Sequence, residues 1–255
     1  MMDPIITAAV TSFATTIATN GTKAPLETLD NLWYLAFGKL SLFVEKKKAQ
    51  HQHLLEEYKD SIAEKIISID ENDLQEPQMS VVGPALEASK YYIEEETLRE
   101  MFANIIASSM DKTKSTQVHH SFVEIIKQLS PEDARNMLLF KESSNYPIVK
   151  FTMTSTDTGG YTILKTNVFH GDKSDIINGN ENATSITNLS RLGLVSISYE
   201  ESYTTQGQYD LYNNSTFFKA LQQYKSQKEI PKDFAISEGI VRLTPLGDSF
   251  IKVCL

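Results

Sequence analysis

The sequence predicts an α+β fold, mainly α, with a helical N-terminal region over residues 1–145 and a mixed region over 146–255. Three observations carry this. Apolar residues recur at spacings of three and four through the first region. Near residue 145 alanine- and glutamate-rich text gives way to Tyr, Thr, Ser, Asn and Gly. Beyond that point apolar residues alternate, or run in short blocks bounded by turn signals.

With 255 residues the chain suits one large domain or two smaller ones, and either buries enough apolar surface to fold without staples. Cys254 is the only cysteine, which excludes an internal disulfide framework or a cysteine zinc cluster and fits a reducing, cytoplasmic setting. The net charge of -9 is uneven: residues 1–145 carry -8 and residues 146–255 carry -1. Neither region is the basic body expected of a protein that lives on phosphate backbones.

The N-terminus holds two apolar runs, Ile5 to Ala18 and Leu32 to Val44, separated by Asn20-Gly21. The first lacks the basic flank of a signal peptide and is shorter than the roughly 20 residues of a bilayer span. They read as core helices, or as a hairpin lying on a membrane surface, which leaves a peripheral membrane association open. Leu40 to Ile69 reads as one long helix with Leu55, Tyr58, Ile62, Ile66 and Ile69 on one face. His51, His53, Glu56 and Glu57 sit on its charged side; without a third ligand placed by spacing they read as a solvated face rather than a metal site.

Pro77, Gly83 and Pro84 interrupt helix propagation, and a second helix is expected over Leu86 to Met110 with Leu98, Met101, Phe102, Ile105, Ile106 and Met110 as its apolar stripe. After Lys112-Thr113-Lys114, Ser121 or a neighbour caps a helix bearing Phe122, Ile125, Ile126 and Leu129. "SPEDA" is then a helix start: Ser130 at the N-cap, Pro131 at the first position, Glu132 and Asp133 at the positive end of the dipole, with Met137, Leu138 and Leu139 as the buried side. His119 and His120 lie at the preceding helix start, where a capping turn is the plain reading and a metal or general-base site the sharper one.

In the second region Ile148 to Met153 and Tyr161 to Phe169 read as strands joined by the turn Asp157-Thr158-Gly159-Gly160. Asn180 to Leu192 reads as a helix ended by Gly193, followed by the strand text LVSISYEE. Gly239 to Leu243 returns as a strand, and Thr244 caps a last helix with Pro245 at its first turn and Gly247 in its entry-side glycine word, Leu-Gly. Helix, strand, excursion, strand, helix resembles a winged-helix domain with an unusually long wing, into which a further helix, Ser215 to Lys225, is inserted.

As a DNA reader this module offers Asn182, Asn188 and Arg191 on the helix, with Asn180 beside them, but its wing opens on Glu200-Glu201. Lys219, Lys225, Lys228 and Lys232 form a modest basic patch that also reads as a solvated helix surface. No Gly-x-x-x-x-Gly-Lys-Ser/Thr loop, His-Glu-x-x-His or Gly-x-Ser-x-Gly occurs, so no enzyme and no cofactor are expected.

The runs Leu98 to Asp111 and Val118 to Ala134, with Glu76-Pro77 and Pro84 to Ala88 before them, resemble the abortive infection alpha family of bacterial proteins. The likeness spans about residues 60–255 and is most specific in 98–134, where Phe102, Phe122, Ser130, Pro131 and Asp133 stand. The family's word here is His-Pro-Ser-Phe, and His120 stands where it has proline. The resemblance implies defence against phage through death or arrest of the infected cell, and supplies no catalytic residues. The expectation is therefore a non-enzymatic antiphage protein acting through a protein partner or self-association, with a phage component as trigger. The alternatives are a DNA-binding regulator and a membrane-active effector working through residues 5–44.

Overall fold

The computed structural model describes Phe13, Lys23–Phe37 and residues 45–255. Its elements are α1 (Lys23–Phe37), α2 (Glu45–Ile67), α3 (Met79–Ser89), α4 (Glu96–Met110), α5 (Ser121–Ile126), α6 (Pro131–Glu142), β1 (Asn145–Ser155), β2 (Tyr161–Val168), α7 (Ala183–Arg191), β3 (Val195–Ser198), α8 (Asp210–Asn213), α9 (Thr216–Lys228), β4 (Lys232–Leu243) and α10 (Pro245–Cys254). A 3-10 turn at Ser115–Gln117 precedes α5. The chain is α+β, as its text predicts. It divides into two units, one of residues up to Pro131 with Ser249–Leu255, the other Glu132–Asp248.

The helical unit buries the faces that the spacing predicts, except that α2 ends at Ile67 and leaves Ile69 beyond it, half-buried. Leu55, Tyr58, Ile62 and Ile66 of α2 are buried, as is the whole stripe of α4 from Leu98 to Met110. On α1, Leu26, Leu29, Trp33 and Phe37 are buried, and Trp33 packs at 4.4 Å from Phe37 and edge-on to Phe13 at 5.6 Å. Lys59 enters this aromatic cluster from α2, its Nζ 4.7 Å above the Phe13 ring and 5.3 Å above Trp33. Burial lowers its pKa to about 8. Phe122 meets Phe250 edge-on at 5.3 Å. Asn104 Nδ2 and Ser108 Oγ each donate, at 3.0 Å, to the carbonyls of Cys254 and Val253, satisfying end carbonyls that a helix leaves without partners.

Three expectations change here. The helix expected from Leu86 to Met110 is two: α3 ends at Ser89 and α4 begins at Glu96. The turn between them is pinned by Arg99 Nη1, which donates to the Ile93 carbonyl at 2.8 Å. Conversely, Gly83 and Pro84 lie inside α3, where burial of Val81, Val82, Ala85 and Leu86 outweighs one missing backbone donor. On α6 the buried side is Ala134, Met137 and Phe140, and Leu138 is exposed. Of the N-terminal apolar runs, Ile5 to Ala18 other than Phe13, Asn20-Gly21 and residues 38–44 lie outside the described residues. Among the described residues no helix is long and apolar enough to cross a membrane.

The second unit is built on an antiparallel sheet of order β2-β1-β4-β3. β1 and β4 run in unbroken register from Asn145 opposite Arg242 to Ser155 opposite Lys232. β4 therefore starts at Lys232, before the expected Gly239, because its first half is a half-buried strand of alternating exposure. β1 pairs with β2 through two irregular steps around Phe151, and β3 pairs only the last residues of β4. Val149, Phe151, Val168, Ile176, Tyr209 and Tyr212 form the core on one face, closed by Phe217 and Phe218 of α9. Ser215 caps α9, its Oγ accepting from Phe218 N at 3.2 Å.

Gly193 ends α7 in a left-handed turn at φ +76. Its N–H bonds the Ser190 carbonyl and that of Leu194 bonds Leu189, the paired pattern that closes a helix. Thr244 then joins two elements: its Oγ1 donates to the Gly193 carbonyl at 2.6 Å and accepts from Gly247 N at 2.9 Å. Gly247 lies so close to the Leu194 carbonyl that a Cβ there would overlap it.

Candidate functional cleft between α7 and β2

α7 is amphipathic by spacing. Ser185, Ile186 and Leu189 are buried, while Thr184, Thr187 and Arg191, three and four residues apart, form its exposed face. That face looks onto an open cleft of about 550 Å³ whose other wall is β2, with Lys165 and Thr166. Asn188 also lines it.

Arg191 is not a loose cation. Its Nε and Nη2 donate to Asn188 Oδ1 at 3.0 and 2.7 Å, and Asn188 Nδ2 donates to Asp133 Oδ2 at 2.9 Å. Asp133 is 2% exposed, so a buried carboxylate orients the exposed guanidinium through one carboxamide. Beside this relay Asn136 Nδ2 donates to Ser185 Oγ at 2.8 Å. On the β2 side Asn167 holds a left-handed conformation at φ 53, and its Nδ2 donates to Thr187 Oγ1 at 3.0 Å, tying strand to helix.

Of the three residues that sequence offers for DNA reading, the structure brings Asn188 and Arg191 together and sets Asn182 apart. Asn182 is buried at the N-cap of α7 with φ 51, and its Nδ2 donates to the His170 carbonyl at 3.0 Å. α7 starts at Ala183 for that reason, three residues later than expected. His170 belongs to a neighbouring network: its backbone N–H donates to the Tyr212 hydroxyl, which donates to the Pro147 carbonyl at 2.8 Å. Burial pushes that phenol's pKa up.

The histidines lie in the helical unit. His119 Nδ1 accepts from Ser121 N at 3.1 Å and pairs with Ser121 Oγ at 2.7 Å, so a residue just before the N-cap takes the first backbone N–H of α5. His120 is exposed at the N-cap position and makes no side-chain cap bond. Glu57, on the α2 face with His53, bonds Arg99 Nη2 at 3.2 Å, and the His51 side chain is outside the described residues. Among the described residues no three His, Cys, Asp or Glu side chains converge as metal ligands. Pro131 opens α6, with Glu132 and Asp133 in its first turn, and Glu132 is paired with Arg135. Phe102 and Phe122 are fully buried.

A sequence model of the family described as abortive infection alpha matches residues 50–254, which includes the 98–134 segment, the sheet unit with its cleft, and the helical unit apart from α1 and the start of α2. The chain belongs to the abortive infection alpha family. Among curated proteins none matches it. This abortive infection alpha chain is also similar to a solved structure, an uncharacterized protein from the hydrocarbon-degrading marine bacterium Alcanivorax borkumensis SK2. The identity is 18% and the TM-score 0.32, over 56% of this chain and 94% of that one.

Sequence reasoning singled out neither Lys165 nor Thr166 and Thr187 of the cleft, and it gave Asp133 a different role. Lys165 sits within ordinary strand text and carries no local signal. Asp133 reads as a helix-dipole residue, and its bond to Asn188, 55 positions away, is a tertiary fact.

Proposed function

We propose that this chain serves abortive infection as a recognition component and not as a catalyst, changing its contacts with a protein partner, or with a second copy of itself, when a phage component appears. Family membership over residues 50–254 carries the defence setting. The contact mechanism is supported by β2. As the end strand of the sheet order it offers a backbone edge, and Tyr161 and Ile163, two apart on one face, are 60% and 47% exposed. The non-catalytic reading is supported by the occupations of His119, Asp133 and Asn182, each of which holds a helix end or a buried bond.

In the same reading α7, β3, β4 and α10 are a winged-helix-like module working in the cytoplasm without a cofactor, its wing extended by α8 and α9. The antiparallel pairing of β3 with β4 and the Thr244 bonds support it. The test is infection of cells that express the chain. Protection of the culture at low phage multiplicity and collapse at high multiplicity are expected, and Tyr161→Asp with Ile163→Lys removes protection at unchanged protein level. Unchanged plating across a broad phage panel would end the defence role. Protection that survives the double substitution would end the β2 contact.

A further inference from the structure

The cleft between α7 and β2 has a charge balance unlike the chain that contains it. The chain carries -9, yet the ionisable residues lining the cleft are Lys165 and Arg191, both cations. Thr166, Thr184, Thr187 and Asn188 add hydroxyls and a carboxamide.

The two cations are presented differently. Arg191 is oriented in advance by Asn188 and, behind it, by buried Asp133, so its planar fork loses little side-chain freedom when it meets an oxyanion. Lys165 is half-buried on β2 with its Nζ 6.0 Å from the Phe217 ring, a point charge on a supported stem.

Size and shape narrow the ligand. A volume of about 550 Å³ suits a small molecule, since such sites run from roughly 300 to 1,000 Å³. Thr184 and Arg191 stand about 10 Å apart along α7 at the helical rise per residue. Major-groove reading needs a helix face that protrudes into the duplex, whereas the polar face of α7 shares its cleft with β2.

We infer that this cleft binds a small phosphate monoester of nucleotide size, its phosphate drawn by the positive charge of Lys165 and Arg191 and its hydroxyl-bearing body held by the threonine and asparagine side chains of the lining. Phosphate draws both cations because charge-assisted hydrogen bonds to it are stronger than neutral ones. The binding stands on the cleft alone. Its role as an infection signal rests on the defence reading above.

The experiment is calorimetric titration of the purified full chain with adenosine monophosphate, adenosine and inorganic phosphate in parallel. Saturable binding of the monophosphate is expected, with adenosine weaker by about tenfold or more for want of the charged group. Arg191→Gln and Lys165→Gln each weaken the monophosphate by a similar factor, while Lys228→Gln, which removes the same charge from exposed α9, leaves it unchanged. Circular dichroism establishes that each variant is folded.

Absence of saturable binding by both the monophosphate and inorganic phosphate at millimolar concentration overturns the inference. So does an equal loss with Lys228→Gln, which would mean diffuse surface charge. A DNA duplex bound more tightly than the monophosphate, with dependence on Arg191, also overturns it, in favour of a nucleic-acid reader. Plating of phage on cells with the same chain separates the two readings. Protection without binding removes the ligand and leaves the defence role, and binding without protection does the reverse.

Discussion

In the helical unit several polar side chains serve helix ends: His119 accepts the first N–H of α5, Asn104 and Ser108 take the last carbonyls of α10, and Arg99 pins the turn before α4. In the sheet unit they are chained to one another inside the fold, from Asp133 through Asn188 to Arg191, and from Asn136 to Ser185. The first arrangement finishes helix ends, some of them 150 and 145 positions away in sequence, around apolar stripes, and it yields a packed body. The second spends buried polar groups, which are costly unless each is satisfied, to fix the direction of a charge at a cleft. The segment by which the family is most easily recognised therefore lies mainly in the packed body, while the side chains poised for a ligand lie elsewhere.

The largest expected effect tests the packed body. Phe122→Ala removes a fully buried ring from its edge contact with Phe250 and should cost about 3–5 kcal/mol in urea unfolding. A loss near that of a surface substitution would mean that the 98–134 segment is not core. Next comes the buried polar chain. Asn136→Ala leaves the Ser185 hydroxyl without its donor and should cost about 1–3 kcal/mol. A neutral result would show that the sheet unit does not depend on satisfied buried groups.

Lys59 is the exception within the helical unit, a buried cation among rings. Below its folded pKa of about 8 the ammonium is protonated in both states, and burial penalises the folded one in full. Between about 8 and the ordinary value of 10.5 the folded chain gives up the proton first and the unfolded chain binds more, so this group's contribution to stability rises with pH across that window. Lys59→Met should raise the urea midpoint near neutral pH and flatten that rise; an unchanged slope would place the ammonium in water. The smallest effect belongs to the surface. Lys65 and Glu100 meet at 2.8 Å with both partly exposed, so Lys65→Met should change stability by less than about 1 kcal/mol.

Legibility in the sequence follows the same division. The stripes of α2 and α4, the helix start at Pro131 and the caps Thr244 and Gly193 were readable because each is written within a few residues. The break between α3 and α4 was not, since it depends on Arg99 reaching back to the Ile93 carbonyl. Nor was the first half of β4, whose partners lie far back in the sequence, Ser155 opposite Lys232 and Lys150 opposite Ser237. At the cleft, Asn188 and Arg191 were readable as polar residues on one helix face. Lys165 and the role of Asp133 exist only once β2 and α6 have come to that helix.

The most direct test compares two single substitutions in infected cells at matched protein levels. His120→Ala changes the most conspicuous pair in the recognised segment, and Arg191→Gln changes the oriented charge at the cleft. The expected result is full protection with His120→Ala and loss of protection with Arg191→Gln. Loss with His120→Ala and full protection with Arg191→Gln would contradict the division, and would put the working site at the histidines.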